Sequence, residues 1–375
     1  MEVLLRSLLH DVRQRCASLR ALLAQPLHPD VQPFAGTVGG ALARIQGDTA
    51  ALLADPSLGS PQLLANHFQL QKRLAEVVHL LESFPIPFAV RYGEADRFVT
   101  AICRRLCEQV GYPGTVPMVA AFSHEYYWTE AHFSLIWAPA AVDGFLLGLP
   151  DMCHELGHVL VQANEGLFTT DFLVDLEAHV RAERDRIAAE QRPPEYAEFY
   201  DGVHACWEGR WVREFLSDAV ATFITGPAYG MQSIRLCTWL SRGIFGLELA
   251  SGTHPSDESR TRGIAAMLEL MAMGEEANRV RQAWAQYAAL TGDQKEADYD
   301  LCYPDSLVSS AIRHAHSACR DLGLRPFTEQ TPVSGAANLP LLMGEAWRVF
   351  LADPGGYAGW EQEQLMSLRQ QLGLG

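Results

Sequence analysis

Apolar residues recur at three- and four-residue spacing along most of this chain, and this periodicity restricts the fold more than any other feature of the sequence. Before residue 84 it runs through three segments, LLRSLLHDVRQRCASLRALLA, ALARIQGDTAALLA and SPQLLANHFQLQKRLAEVVHLLESF. The segment FPIP at residues 84–87 breaks the pattern, and a further helical segment, ADRFVTAICRRLCEQVGYPG, ends at Gly111. The first part of the chain is therefore predicted to be helical.

One stretch, residues 116–139, has β character instead. Its segments VPMVAAFS, EYYW and HFSLIWAP are rich in aromatic and β-branched residues. After Gly148 the helical pattern returns, and helices are predicted from the HELGH segment to about residue 164, over 171–191, over 195–225, and after His254-Pro255 with Ser256 as N-cap. The predicted fold class is α+β, predominantly helical, with a small β-sheet.

The charge of the chain argues against one class of function, nucleic-acid binding. The formal net charge is −16 at pH 7, and Lys72 and Lys295 are the only lysines. Because neutralising nucleic-acid phosphates requires clustered Lys and Arg, we expect no nucleic-acid partner.

The sequence also predicts a cytoplasmic, soluble protein. Its N-terminus, MEVLLRSLLHDVRQRC, lacks the charged, apolar and cleavage regions of a signal peptide. The most apolar stretch, residues 133–149, contains Pro139 and Asp143, so we expect no membrane span. The eight cysteines show no tight pairing, and Cys103 and Cys107, at helical spacing, are predicted to be core thiols rather than metal ligands.

The segment MCHELGHVLVQAN carries the strongest chemical signal. His154 and His158 lie four residues apart and project from one face of a helix, which aims two imidazoles at one point. Glu155 follows the first histidine, where a carboxylate is suited to accept a proton from a metal-bound water. Gly157 leaves room for another backbone or a ligand. The alternative interpretation is a buried helix with two hydrogen-bonded histidines.

A third ligand is expected on a separate element, because catalytic zinc usually takes three protein ligands and leaves one position for water. Glu214 fits this role. It lies with Asp218 in WVREFLSDAVATFITGP, and two carboxylates on an otherwise apolar helix are costly unless they are paired or bound to a metal. The alternative is a pair of surface acids, or partners for Arg210 and Arg213.

A third segment, THPSDESR, separates His254-Pro255 from Arg260 by four residues. With HELGH and the Glu214-x-x-x-Asp218 pair, it makes residues 131–270 resemble the gluzincin metallopeptidases, and within them the CAAX-prenyl-protease and HtpX-like group. The resemblance implies a zincin-like domain and one Zn²⁺ per chain. The implied zinc ligands are His154, His158 and Glu214, with Glu155 as general base.

The same resemblance implies further roles. Asp218 would hold a ligand imidazole, His254 would face the reacting carbonyl, and Arg260 would anchor the acidic residues of the site. The chain departs from the membrane members of the group because it has no transmembrane segment, so membrane-embedded prenyl-protein substrates are not expected. Tyr229, in GPAYG, is interpreted as a turn-packing tyrosine rather than an oxyanion donor.

We therefore predict a zinc-dependent intracellular metallopeptidase acting on a protein or peptide substrate. The predicted regions are an N-terminal helical region (1–90), a zincin-like domain (91–325) and a C-terminal helical region (326–375). One alternative is a non-catalytic, zinc-stabilised regulatory module that binds a protein partner through the helical regions, although such a site gains nothing from Glu155. Another is a zinc amidohydrolase acting on a non-peptide substrate.

Overall fold

The structure is a computed structural model that describes residues 1–123, 126–140, 144–240, 243–247, 249, 254–331 and 337–374, with the backbone alone at residue 194. Most of these residues are helical. The helices are α1 (Glu2–Leu23), α2 (Gln32–Ala54), α3 (Leu64–Ser83), α4 (Pro85–Arg91), α5 (Glu94–Val110), α6 (Leu149–Ala163), α7 (Glu165–Ala189), α8 (Pro194–Cys206), α9 (Val212–Thr225), α10 (Pro227–Leu240), α11 (Asp257–Leu270), α12 (Gly274–Thr291), α13 (Tyr299–Cys302), α14 (Asp305–Asp321), α15 (Leu339–Ala352) and α16 (Tyr357–Gln371).

The described strands are short and all fall inside the stretch with β character. They are β1 (Met118–Ala120), β2 (Trp128–Glu130) and β3 (Leu135–Trp137). β2 and β3 pair antiparallel, with Thr129 opposite Ile136, and the rings of Trp128 and Trp137 stack across the pair with centroids 5.4 Å apart. A predominantly helical fold with three short strands, two of them paired in a small sheet, confirms the predicted fold class at this level.

The first of two compact units comprises residues 1–100 and 118–120. Its three predicted N-terminal helices are confirmed as α1, α2 and α3, and α1 buries Leu5, Leu9 and Val12 on one face. FPIP ends α3 as predicted, but it also begins the short helix α4, which the sequence analysis does not predict. Proline is tolerated in the first turn of a helix because the amide it lacks would have no partner there.

The second unit comprises residues 101–117 and 121–375, and it contains every predicted site residue. Its centre is the packing of α6 against α9. A Cβ atom added to Gly157 would lie 2.9 Å from the Cα of Ser217 and 3.0 Å from its carbonyl oxygen. The room that Gly157 leaves is therefore filled by the backbone of α9. The predicted three-region division of the chain stays a prediction.

The segment predicted as one helix over 195–225 contains a π-helical segment. α8 ends at Cys206, the π-helical segment spans Trp207–Trp211, and α9 follows directly. The side chain of Trp207 is buried, its indole N–H donates to the carbonyl oxygen of Cys302 at 2.8 Å, and its ring stacks on Phe215 with centroids 5.0 Å apart. The segment is helical as predicted, but it is not one continuous α-helix.

Two further expectations concern the cysteines and membrane-spanning segments. Cys103 and Cys107 are buried free thiols, which confirms their predicted place in the core. Among the described helices, none combines the length and the apolar character needed to cross a membrane.

We predict that Gly157→Ala destabilises the protein, because the added methyl group would push α6 away from the backbone of α9. Overpacking of this kind costs about 1–3 kcal/mol. Gly202→Ala is the matched control, since Gly202 lies in α8 with open space at its Cβ position, and alanine there should be neutral or stabilise by up to about 1 kcal/mol. Urea denaturation of the three proteins measures both effects, and equal stability of the Gly157→Ala and wild-type proteins would contradict the close contact.

Candidate metal centre

Two imidazoles from α6 and one carboxylate from α9 meet at a single point. The Nε2 atoms of His154 and His158 lie 3.0 Å apart. Glu214 lies close to both, with Oε2 at 3.5 Å from Nε2 of His154 and Oε1 at 3.4 Å from Nε2 of His158. One ligand atom from each residue lies within 4.8 Å of the others. The structure thus brings together the three residues that the sequence predicts as metal ligands.

The chemistry of this cluster fits a bound cation. Oε2 of Glu214 is buried and has no hydrogen-bond partner among the described residues, which is costly for a carboxylate oxygen. The facing ring nitrogens of His154 and His158 also repel each other unless a proton or a cation lies between them. Two imidazole nitrogens and one carboxylate oxygen form a donor set that divalent transition metals use. The buried group can hold a metal ion.

The other ring nitrogen of each histidine is held by a residue of α9. Nδ1 of His154 lies 2.9 Å from Oδ1 of Asp218, and Nδ1 of His158 lies 3.0 Å from Oγ of Ser217. Hydrogen bonds to the second ring nitrogen fix the orientation of an imidazole that binds metal. Both Nε2 atoms are therefore directed at Glu214 before any cation arrives.

Asp218 is fully excluded from solvent and is held by Arg260 of α11. Arg260 donates from Nε to Oδ2 at 2.8 Å and from Nη2 to Oδ1 at 2.7 Å. Burial alone would raise the pKa of Asp218, but the two-point contact with Arg260 and the hydrogen bond with His154 hold that pKa well below its usual range. Nη2 of Arg260 also lies 3.7 Å from Glu214, so the arginine contacts both acidic residues of α9.

The two histidines differ in protonation. Burial lowers the pKa of His158 to about 4, so this imidazole is neutral at pH 7. Burial acts in the same direction on His154, but the carboxylates of Asp218 and Glu214, each close to one of its ring nitrogens, outweigh it and raise the pKa of His154 to about 10. In the absence of a cation, His154 therefore carries an additional proton at pH 7 and is positively charged.

Glu155 is buried beside the three ligands. None of the described residues makes a hydrogen bond to its carboxylate, and burial, together with the charges of Glu214 and Asp151, raises its pKa to about 7. A carboxylate with this pKa can accept and release a proton near neutral pH. This is the chemical property expected of a general base.

His254 lies at the edge of the site, shortly before α11. Its side chain is 60% exposed, and its Nε2 is 3.7 Å from Oε2 of Glu214. Residues 250–253 of the preceding segment lie outside the described residues. The predicted N-cap of α11 is confirmed, since Oγ of Ser256 accepts a hydrogen bond from the amide of Ser259.

Residues that the sequence analysis does not select also surround the ligands. Asp151 is buried on α6, one turn before Glu155, and accepts hydrogen bonds from the hydroxyl of Tyr126 at 2.6 Å and from the amide of Gln232. Burial raises the pKa of Asp151 to about 6. Asp151 could have been identified from the sequence, because an acidic residue on an otherwise apolar helix is costly to bury. Tyr126 and Gln232 are too far from the ligands in sequence to be recognised.

The interpretation of Tyr229 as a turn residue is wrong. Gly226 ends α9 with a φ of +59°, and Pro227 begins α10 immediately, so Tyr229 lies inside a helix. Its side chain is buried, and its hydroxyl donates to Asp218. Tyr229 therefore belongs to the surroundings of the ligands.

Comparisons of the chain with protein-family models, with curated proteins and with solved structures find no match. The function of the site is accordingly inferred from its own geometry and from the sequence motifs.

We predict that the purified chain binds about one divalent cation, because three ligands on two packed helices form a preorganised site. Replacing His154, His158 or Glu214 by alanine should abolish stoichiometric binding, as measured by elemental analysis after dialysis. Glu165→Ala is the control, because Glu165 is an exposed acid that pairs with Arg213 outside the cluster. Full metal retention in the Glu214→Ala protein would show that another residue is the third ligand.

We also predict that cation binding releases about one proton per site at pH 8. His154 has a raised pKa of about 10 without a cation and must lose its proton to bind one, whereas His158 is already neutral. The apparent affinity should therefore increase about tenfold for each pH unit between pH 8 and 9, where Glu155 is already ionised and His154 still holds its proton. Competition with a chromophoric chelator measures this slope, and an affinity independent of pH would contradict the assignment of the proton to His154.

Proposed function

We propose that the chain is a zinc-dependent metallopeptidase that hydrolyses peptide bonds in a protein or peptide substrate, with a zincin-like catalytic domain. The observation that carries the proposal is the position of Glu155, a buried carboxylate without a hydrogen-bond partner among the described residues, beside three buried groups able to bind a metal. The likeness of HELGH, Glu214-x-x-x-Asp218 and His254-Pro255 with Arg260 to the gluzincin motifs supports it.

His154, His158 and Glu214 would hold the metal. Zinc is the cation we propose, since catalytic zinc sites combine three such protein ligands with an open position. When bound there, zinc supplies Lewis-acid activation of a water molecule and of the scissile carbonyl. Two neutral imidazoles and one carboxylate leave a divalent ion with net positive charge, which favours that activation.

Glu155 would act as the general base. Its carboxylate takes a proton from the attacking water as the new C–O bond forms at the scissile carbonyl carbon. The same carboxyl group then delivers the proton to the amide nitrogen as the C–N bond breaks, which releases a neutral amine. Burial raises the pKa of Glu155 to about 7 in the metal-free protein, and the charge of a bound cation would favour the ionised carboxylate, which is the form that accepts the proton.

His254 and Arg260 would have different roles. His254 is largely exposed at the edge of the cluster, where an imidazole can donate a hydrogen bond to the negative charge that develops on the carbonyl oxygen. Arg260 is engaged with Asp218 through both Nε and Nη2. We therefore assign Arg260 to positioning Asp218 and not to contact with the substrate.

The non-catalytic module explains these observations less well. A structural zinc site is usually closed by four protein ligands, whereas the cluster offers three among the described residues. Burial also raises the pKa of Glu155, and this cost to its ionised form serves no purpose in a protein that needs the metal only for its fold. A proton-transfer role gives that cost a function.

We predict that Glu155→Gln retains zinc and fold but loses turnover by about 10²- to 10⁴-fold, because the amide cannot accept a proton at neutral pH. Glu165→Gln, at an exposed position, is the matched control and should keep wild-type activity. Cleavage of a peptide library followed by mass spectrometry, together with zinc content, measures the effect. A folded, zinc-loaded Glu155→Gln protein with wild-type cleavage rates would refute the mechanism.

The class of substrate requires a comparison in cells. New protein N-termini should accumulate with the wild-type chain and not with the Glu155→Gln chain. Glu155-dependent hydrolysis of small non-peptide amides without new N-termini would instead identify an amidohydrolase. A zinc-loaded wild type that hydrolyses neither kind of amide would support the protein-binding module.

A further inference from the structure

Tyr229 of α10 lies beside His154, on the side of the imidazole that carries Nδ1. Its side chain is 2% exposed, and its ring is nearly parallel to the imidazole, with an interplanar angle of 10° and centroids 6.0 Å apart. The hydroxyl oxygen of Tyr229 lies 3.1 Å from Nδ1 of His154 and 3.4 Å from Nη2 of Arg260. The same hydroxyl donates to Oδ1 of Asp218.

The donors and acceptors around this hydroxyl allow one consistent arrangement. A tyrosine hydroxyl has a single hydrogen, and that hydrogen is directed to Asp218. The oxygen of Tyr229 can then only accept from His154, so the hydrogen between them lies on Nδ1 of the imidazole. When His154 gives up its second proton to bind a cation, the lone pair is therefore left on Nε2, the nitrogen that lies near Glu214.

The acceptors also restrict the rotation of the ring. Nδ1 of His154 lies within hydrogen-bond distance of two oxygens, Oδ1 of Asp218 at 2.9 Å and the hydroxyl of Tyr229 at 3.1 Å. A single acceptor would allow the imidazole to turn about that one contact. Two acceptors from different helices, Asp218 on α9 and Tyr229 on α10, restrict the imidazole more than one acceptor would.

We infer that Tyr229 is a positioning residue, whose hydroxyl fixes the tautomer and the orientation of His154 so that Nε2 can bind the metal. The inference rests on the proposed function. A role as oxyanion donor does not fit, because the hydroxyl is buried and its hydrogen is already given to Asp218. Tyr229 acts through His154 and Asp218 and does not touch a substrate.

Tyr229→Phe tests the inference, since it removes the hydroxyl and keeps the ring. We expect the affinity for zinc, measured at pH 7.5 by competition with a chromophoric chelator, to fall by about 10- to 100-fold, as is typical for residues that orient a metal ligand. Tyr287→Phe is the matched control, because Tyr287 donates its hydroxyl to the carbonyl oxygen of Cys237 in the same helix α10, at 2.8 Å. This control should bind zinc with wild-type affinity.

Thermal unfolding of the metal-free proteins separates positioning from packing. If Tyr229 only stabilises α10, the two variants will lose stability without a specific change in zinc affinity, and the inference is overturned. Equal zinc affinities in the wild-type and Tyr229→Phe proteins overturn it as well. In either case, a wild-type protein that binds zinc and cleaves the peptide library would leave the proposed function intact. A wild-type protein that binds no zinc would refute both the inference and the proposed function.

A second measurement needs no variant, and so it can overturn the inference even if Tyr229→Phe does not fold. Nitrogen-15 NMR of the zinc-loaded wild type identifies which nitrogen of each imidazole carries a proton and which binds the metal. We expect a protonated Nδ1 and a metal-bound Nε2 for His154. A metal-bound Nδ1 would overturn the inference.

Discussion

Helices α6 and α9 approach each other so closely at Gly157 that a methyl group there would meet the backbone of Ser217. The residues that follow these two are His158 and Asp218, so the closest point of the interface lies directly beside the ligand cluster. Glu214 is one turn before Asp218 on α9, and its carboxylate reaches the imidazoles only because the two helix axes are near. The geometry of the candidate metal centre is therefore a consequence of backbone packing, and side-chain flexibility cannot replace it.

The second constraint is charge. Two carboxylates, Glu214 and Asp218, are buried at this interface, and Arg260 compensates only one of their negative charges. A buried charge without a partner is costly, so the remaining charge must be balanced by a cation or by a proton. The proton retained by His154 meets this need in the metal-free protein. A divalent ion would replace that proton and leave an excess of positive charge, which stabilises the ionised form of Glu155.

The sequence is sufficient to predict the ligand residues but not their whole environment. Helical spacing places two histidines on one face, and the cost of burying acids on an apolar helix selects Glu214; the structure brings all three together. Tyr229 is missed because Gly226-Pro227 suggests a turn, whereas Gly226 reverses the chain and Pro227 begins another helix. Contacts between residues far apart in sequence have no local signal, and these contacts determine what holds each ligand.

The π-helical segment Trp207–Trp211 shows how a feature outside the motifs contributes to the site. Each residue turns an α-helix by about 100°, so the one additional residue of a π turn rotates everything that follows by roughly that angle. Trp207 is fixed at the start of this segment by its hydrogen bond to the carbonyl of Cys302. With Trp207 held there, an unbroken α-helix would direct Glu214 about 100° away from His154 and His158. The π turn therefore sets the phase of α9 that lets its carboxylate complete the cluster.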